Sequence, residues 1–243
     1  ELGIDGDLVA VVPHGNEPEL LVDRTPEADL RERFGLGDGR VLVYPAMTAP
    51  HKNHRFLVEL LETEWRDPDL RLVLIGGRGL AADALDAMIA AASPGTRERI
   101  VRPGRVTDAD KNGLIALAAA LVFPSTYEGF GAPLIEAMAL GTPVLCSNAT
   151  CLPDVAGDAA VVKPLLPASW AAGLDEVIAR RDELVVAADP AVALVAEGDA
   201  RRRVRGDELV VAGRRRVEAF TSRRSGEALL GVFARLEEIL GIA

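Results

Sequence analysis

The sequence predicts an α/β fold: a doubly wound, mostly parallel sheet with helices on both faces, followed by a helical C-terminal tail. Three observations predict it. Short apolar runs rich in Val, Leu and Ile alternate with stretches of helical periodicity, the pattern of strands joined by crossover helices. The chemically unusual residues His14, Lys52, Arg78, Arg105, Glu128 and Asn148 each follow the end of one of those runs. In a parallel sheet the loops after the strands line one edge, where ligands bind. Finally, residues 120–143 pass from a buried-strand pattern, through a loop with two glycines, into a helix.

In chain order, a first strand is expected over residues 8–12, followed by the loop Pro13, His14, Gly15 and Asn16. Thr25 and Pro26 open a helix through residue 34 that Gly35 ends, because glycine accepts the positive φ of a helix stop. Residues 41–44 form a strand and 45–53 a loop. Residues 54–64 form a helix with Phe56, Leu57, Leu60 and Leu61 on one face. A strand over 70–75 runs into Gly76, Gly77, Arg78 and Gly79, and an Ala-rich helix spans 80–92. A strand over 99–102 precedes Pro103, Gly104 and Arg105, and Asp108 caps a helix through 118. The strand at 120–123 enters the glycine loop. Pro133 suits the first position of the next helix, which Gly141 stops. Strands at 144–146 and 160–162 complete the sheet. From Ser169 the chain is helical, ending in an amphipathic helix over about 225–240 through Leu229, Val232, Phe233, Leu236 and Leu240. The arginine clusters at 201–205 and 214–216 lie among acidic residues and read as a solvated helix face.

Composition narrows the function. The 243 residues are 49% hydrophobic but only 4% aromatic, so aliphatic side chains and alanine must fill the core. A net charge of −10 argues against non-specific nucleic-acid binding and against a polybasic membrane surface. An anionic ligand would then depend on local cations and backbone N–H groups. Cys146 and Cys151 match no metal-ligand pattern and suggest a reducing compartment. The histidines His14, His51 and His54 lack a spaced acidic ligand, so no metal site is expected. No apolar run reaches transmembrane length, and no signal peptide is visible. The first residue is Glu1 rather than Met, which suggests a piece of a longer chain.

The central stretch carries the chemistry. The loop Glu128, Gly129, Phe130, Gly131, Ala132 allows close backbone approach to a ligand. The helix after it presents free N–H groups to an anion. Glu128 stands before the glycines and Glu136 about one turn inside the helix. On a single helix, eight residues at about 1.5 Å each would separate them by roughly 12 Å. That exceeds the roughly 5–9.5 Å of paired glycosidase carboxylates, so the two acids are expected to serve separate parts of one long ligand. A carboxylate accepts two hydrogen bonds from a vicinal diol, which suits a ribose at one glutamate and a sugar at the other. Glu136 has a plainer reading as an acid favoured by the helix dipole, and Glu128 as a solvated loop acid.

Glu128, seven residues, then Glu136, with Gly129-Phe130-Gly131 and Pro133 between, resembles the signature of the retaining GT-B glycosyltransferases of family 4. Phe123-Pro124-Ser125 and Gly141-Thr142-Pro143-Val144 resemble that family too. The resemblance covers nearly the whole chain, but only the second, donor-binding half of such an enzyme. It implies a Rossmann-like nucleotide-sugar-binding domain over residues 1–168 and, over 169–243, helices packing on it and toward an N-terminal acceptor domain. It implies transfer of a hexose, with retention, from a nucleoside-diphosphate sugar, a UDP or GDP sugar foremost, in polysaccharide, glycolipid or small-metabolite synthesis. No cofactor or metal is implied. The implied location is the cytoplasm, or the inner membrane surface reached through the other half.

Residue by residue, the resemblance places Lys52 and Glu128 at the reacting centre, with Lys52 on the diphosphate and Glu128 near the donor sugar. Glu136 would take the ribose, and Phe130, Gly131 and Ala132 the diphosphate through their backbone. Gly15 resembles an early Pro-x-Gly loop, and Arg105 and Val106 lie where backbone groups meet the nucleobase. The family pattern has an arginine five residues before the lysine; here that position is Met47. Either backbone N–H groups then carry more of the diphosphate, or Arg78 or Arg105 replaces the lost cation, or the site is degraded; the plain alternative for both arginines is a surface salt-bridge role. The family's usual Phe-Ser-Trp is Phe220-Thr221-Ser222-Arg223 here, without the tryptophan. Two other functions stay open: a nucleotide-binding module without chemistry, and a sugar-nucleotide epimerase of the same fold.

Overall fold

The computed structural model describes Leu21, residues 23–188 and residues 215–240. The strand expected at 8–12, His14, Gly15 and the cluster at 201–205 lie outside the described residues. Helix α1 (Glu27–Phe34) is followed by β1 (Val41–Pro45), a 3-10 turn (Pro50–Lys52), α2 (His54–Thr63) and β2 (Arg71–Ile75). Then come α3 (Ala82–Ala91), α4 (Pro94–Glu98), β3 (Ile100–Gly104), α5 (Asp108–Leu117), β4 (Ala120–Phe123) and α6 (Ala132–Ala139). The order continues with β5 (Val144–Ser147), α7 (Leu152–Ala156), β6 (Val161–Lys163), α8 (Pro167–Ala188) and α9 (Ser222–Leu240).

The six strands form one sheet in the order β3-β2-β1-β4-β5-β6, with every neighbouring pair parallel. This is the Rossmann-like, doubly wound arrangement. The chain builds outward from β1 to β3, returns to lay β4 beside β1, and builds outward the other way. The crevice between β1 and β4 is therefore the switch point where such sheets bind ligands. Strands β4 and β5 are buried along their whole length, whereas the edge strand β3 is partly exposed. Strands covered on both faces must be apolar at every position, which explains the unbroken runs in the sequence.

Among the described residues the helices pack in three sets: α2 with α3, α4 and α8, α1 with α5, and α6 with α7. Trp170 on α8 is fully buried and meets Phe56 edge-on, with ring centroids 5.3 Å apart. Helix α8 starts at Pro167, ahead of the helical tail expected from Ser169, and rests on β4, β5 and β6.

Local chemistry corrects several boundaries. Helix α5 is capped by Thr107, whose hydroxyl accepts from the Asp110 N–H, and Asp108 is the first helical residue rather than the cap. Helix α6 begins at Ala132, so Pro133 is its second residue; the N–H that proline lacks would have had no intrahelical partner there either. Strand β3 runs to Gly104, past the expected end at 102. Arg99, placed in that strand by the sequence reading, instead buries its guanidinium against the carbonyls of Leu61, Trp65 and Asp67. The one-turn helices α4 and α7 were not anticipated, since five residues are too few to show a helical period.

Candidate functional site

The switch crevice is walled by the loop after β1 and the loop after β4, and buried hydrogen bonds stitch the two together. Tyr44, near the end of β1, is fully buried. Its hydroxyl donates to the carbonyl of Lys52 at 2.7 Å and lies 3.0 Å from Ser125 Oγ. Burial, against the opposing bond from Ser125 and aided by the charge of Glu128, pushes the Tyr44 phenol far above the usual tyrosine range, so it remains a donor. Asn53 adopts a left-handed conformation with φ 52 to turn the chain into α2, and its Nδ2 donates to the carbonyl of Pro124 at 3.3 Å. The Thr126 N–H donates to the carbonyl of His51 at 2.8 Å. Ser147 Oγ, at the end of β5, donates to the carbonyl of Ser125 at 2.5 Å.

This scaffold brings Lys52 and Glu128 together across the crevice, Nζ to Oε1 at 2.5 Å, with side chains 20% and 10% exposed. The ion pair is thus partly desolvated while its edge still reaches solvent. Directly after it comes the start of α6. Gly131 takes φ 92, which by itself favours glycine, and a Cβ there would stand 2.7 Å from Leu152 Cδ2, so that side chain would also have to shift. At Gly129 an added Cβ meets nothing within 4 Å; that glycine leaves open space rather than satisfying the fold. Gly131 is the N-cap of α6 and supplies no side-chain cap, and the helix dipole favours an anion in front of it.

Glu136 lies one turn into α6 with its side chain 19% exposed, and Lys111 on α5 reaches its Oε1 at 3.3 Å. Glu128 and Glu136 therefore have different cations and different surroundings, consistent with separate roles. The backbone of Phe130 lies at the head of α6, while its ring packs against Phe220, centroids 5.3 Å apart. Arg105 is exposed beside Gly77, its Nε 3.0 Å from where a Cβ of Gly77 would stand, and Val106 is half-buried against the core. Arg78 is bound to Asp83 at 2.6 Å and Asp86 at 2.7 Å on the surface, which is the salt-bridge role rather than that of a replacement cation. Met47 is 52% exposed. Among the described residues, no three His, Cys, Asp or Glu side chains are grouped to hold a metal ion.

Sequence reasoning missed Lys111, Tyr44 and Thr150. Tyr44 left a signal, as the one polar side chain in the run Val41–Pro45. Lys111 gave none, being 25 residues from its partner. Thr150 gave none either.

Comparison with known proteins adds the following. The family model described as Glycosyl transferases group 1 matches residues 27–189. O-antigen chain mannosyltransferase B of Escherichia coli is 44% identical over 126 residues, covering 49% of this chain and 32% of that protein. D-inositol 3-phosphate glycosyltransferase of Nocardia farcinica is 34% identical over 207 residues, covering 75% of this chain and 42% of that protein. The crystal structure of Anabaena Alr3699/HepE in complex with UDP-glucose superposes with a TM-score of 0.71 at 18% identity, over 97% of this chain and 59% of that one. The matched region thus spans less than two thirds of the length of each of these proteins.

Proposed function

The chain belongs to the glycosyl transferases group 1 family, and from that premise we propose that it is the C-terminal, donor-binding half of a retaining hexosyltransferase of family 4, holding a nucleoside-diphosphate sugar across the β1–β4 crevice. The observation that carries this reading is the Lys52–Glu128 pair at 2.5 Å, set across the crevice beside the uncapped start of α6. A lysine ammonium has three donors. Lys52 keeps one on Glu128 and offers the others to the diphosphate. The N–H groups of Phe130, Gly131 and Ala132, with the dipole of α6, take the remaining phosphate oxygens.

As the bond between the anomeric carbon and the diphosphate oxygen breaks, negative charge grows on that oxygen. Lys52 and the helix start stabilise it electrostatically. Glu128 lies toward the sugar, and Glu136, held by Lys111, accepts from the ribose diol. Arg105 and Val106 flank the base. The part of Gly15 rests on the resemblance alone. The mannosyltransferases among the relatives support mannose as the first hexose to test, and HepE, bound to UDP-glucose, supports UDP beside GDP as the nucleotide. The acceptor would sit on an N-terminal domain, a reading supported by the share of each relative that this chain spans. Cytoplasmic work is proposed with it; no helix among the described residues is long and apolar enough to cross a membrane.

One observation favours a second reading, a module that binds the nucleotide sugar without transferring it. Met47 stands where the resemblance places an arginine, and Arg78 is already held by two aspartates. Two measurements separate the readings. In thermal shift with UDP, GDP, UDP-glucose and GDP-mannose, a ligand at 100 times its Kd stabilises by about 2.7 kcal/mol; no shift with any of them refutes both. Product formation is then measured with and without the N-terminal half. The first reading expects turnover only with both halves. Turnover by this chain alone refutes the half-enzyme assignment, and none with both supports the module.

A further inference from the structure

The loop that carries Glu128 is held from an unexpected side. Thr150, in the turn between β5 and α7, forms a reciprocal pair with the Glu128 backbone. The Glu128 N–H donates to Thr150 Oγ1 at 3.0 Å, and the same hydroxyl donates to the Glu128 carbonyl at 3.1 Å. Cys151 adds its thiol to that carbonyl at 3.3 Å and to the carbonyl of Phe130 at 3.5 Å. Thr150 does this with φ 49, one of two non-glycine residues in the left-handed region among the described residues. A β-branched side chain is strained there. Glycine or asparagine would fit the turn better, but neither supplies a hydroxyl that both accepts from and donates to the peptide of Glu128.

We propose that Thr150 is a positioning residue for Glu128, its hydroxyl fixing the peptide from which that carboxylate reaches Lys52. The proposal rests on the donor-site reading for its consequence, though not for the contact itself. The side chain of Glu128 leaves a loop whose next residue, Gly129, has open space where a side chain would be. Without Thr150 the backbone here would keep the weak thiol contacts of Cys151 to the carbonyls of Glu128 and Phe130, beside the Lys52 ion pair at the side chain. The Thr150 hydroxyl restrains the N–H and the carbonyl of Glu128, one on each side of its Cα, and so sets where the carboxylate sits relative to the sugar. The diphosphate contacts are made by Lys52 and the head of α6, and the Thr150 hydroxyl bonds to Glu128 rather than to either of them. Its loss should therefore affect the sugar more than the nucleotide.

The test uses the full chain with Thr150→Ser, Thr150→Ala and Thr150→Gly. Melting temperature, hydrogen exchange at the Glu128 amide, and calorimetric affinity for UDP against UDP-glucose and GDP against GDP-mannose are measured. Thr150→Ser keeps the hydroxyl and should match the parent. Thr150→Gly relieves the strained φ, so its melting temperature should hold or rise. Its Glu128 amide should nevertheless exchange about tenfold faster, the effect of one lost hydrogen bond. Affinity for the sugar nucleotide should fall several-fold relative to the diphosphate. Thr150→Ala should lose the same discrimination. Unchanged exchange at Glu128 in both hydroxyl-free variants overturns the tether. Faster exchange with unchanged discrimination, in a parent that binds these donors, overturns its positioning role. A parent that binds no nucleotide refutes the donor-site reading instead and with it that role, while the exchange data still decide the tether.

Discussion

Replacing Lys52 by alanine removes the ammonium that pairs with Glu128 across the crevice. Two consequences can be sized. The first is on the free protein. Lys52 lies 2.5 Å from Glu128, whose side chain is 10% exposed, so the substitution leaves a mostly buried carboxylate without its cation. Stripping one partner from a fully buried pair costs about 3–5 kcal/mol. Since both partners here touch solvent, about 1–3 kcal/mol is expected. The double variant Lys52→Ala with Glu128→Gln should recover much of that, because the isolated charge is gone. The second consequence is on binding. A charge-assisted hydrogen bond contributes about 1.5–3 kcal/mol, so affinity for UDP or GDP should fall roughly ten- to a hundredfold. Affinity for uridine or guanosine should hardly change. Urea denaturation reads the first effect and isothermal titration with nucleoside, monophosphate and diphosphate reads the second. Equal losses for nucleoside and diphosphate would refute the placement of Lys52 on the diphosphate. A double variant no more stable than Lys52→Ala would refute the account of the pair.

The glutamates should separate: Glu136→Gln is expected to weaken even a nucleoside severalfold, while Glu128→Gln keeps diphosphate binding and abolishes transfer in the two-half enzyme; interchanged effects in titration and turnover would swap the roles. Gly131→Ala places a side chain at φ 92 against Leu152 and should cost about 1–3 kcal/mol, whereas Gly129→Ala should fold normally and weaken donor binding only; urea midpoints and titrations of the two variants check this. The last prediction concerns His54, which is buried with its Nε2 3.2 Å from the carbonyl of Ala46. Burial first, then the charges of Arg102 and Lys52, lower its pKa from 6.5 to about 4 against the opposing bond to Ala46. The unfolded chain then binds a proton before the folded one. The stability from this group is full above pH 6.5 and is lost as pH falls toward about 4, by up to about 3 kcal/mol. His54→Gln should flatten that part of the denaturation profile, and parallel profiles for parent and variant would remove His54 as the cause.

The sequence by itself determined the strand–helix alternation, the buried apolar strands, the helix stop at Gly35 and the two-glycine loop before α6. It also placed Lys52, Arg78, Arg105, Glu128 and Asn148 after strand ends. Each of these depends on forces that act within a few residues: apolar periodicity, the φ range of glycine, the missing N–H of proline. The choice of partners was decided only by the tertiary structure. Lys52 meets Glu128 from 76 residues away because β4 returns to lie beside β1. Arg78 is taken by Asp83 and Asp86 on the surface. Lys111 holds Glu136 because α5 packs on β1 and α6 on its neighbour β4, and Thr150 reaches Glu128 because β5 sets its following turn beside the loop of β4. Such contacts depend on the order and register of strands. Those are fixed by the packing of the whole sheet, and no local pattern in the chain records them.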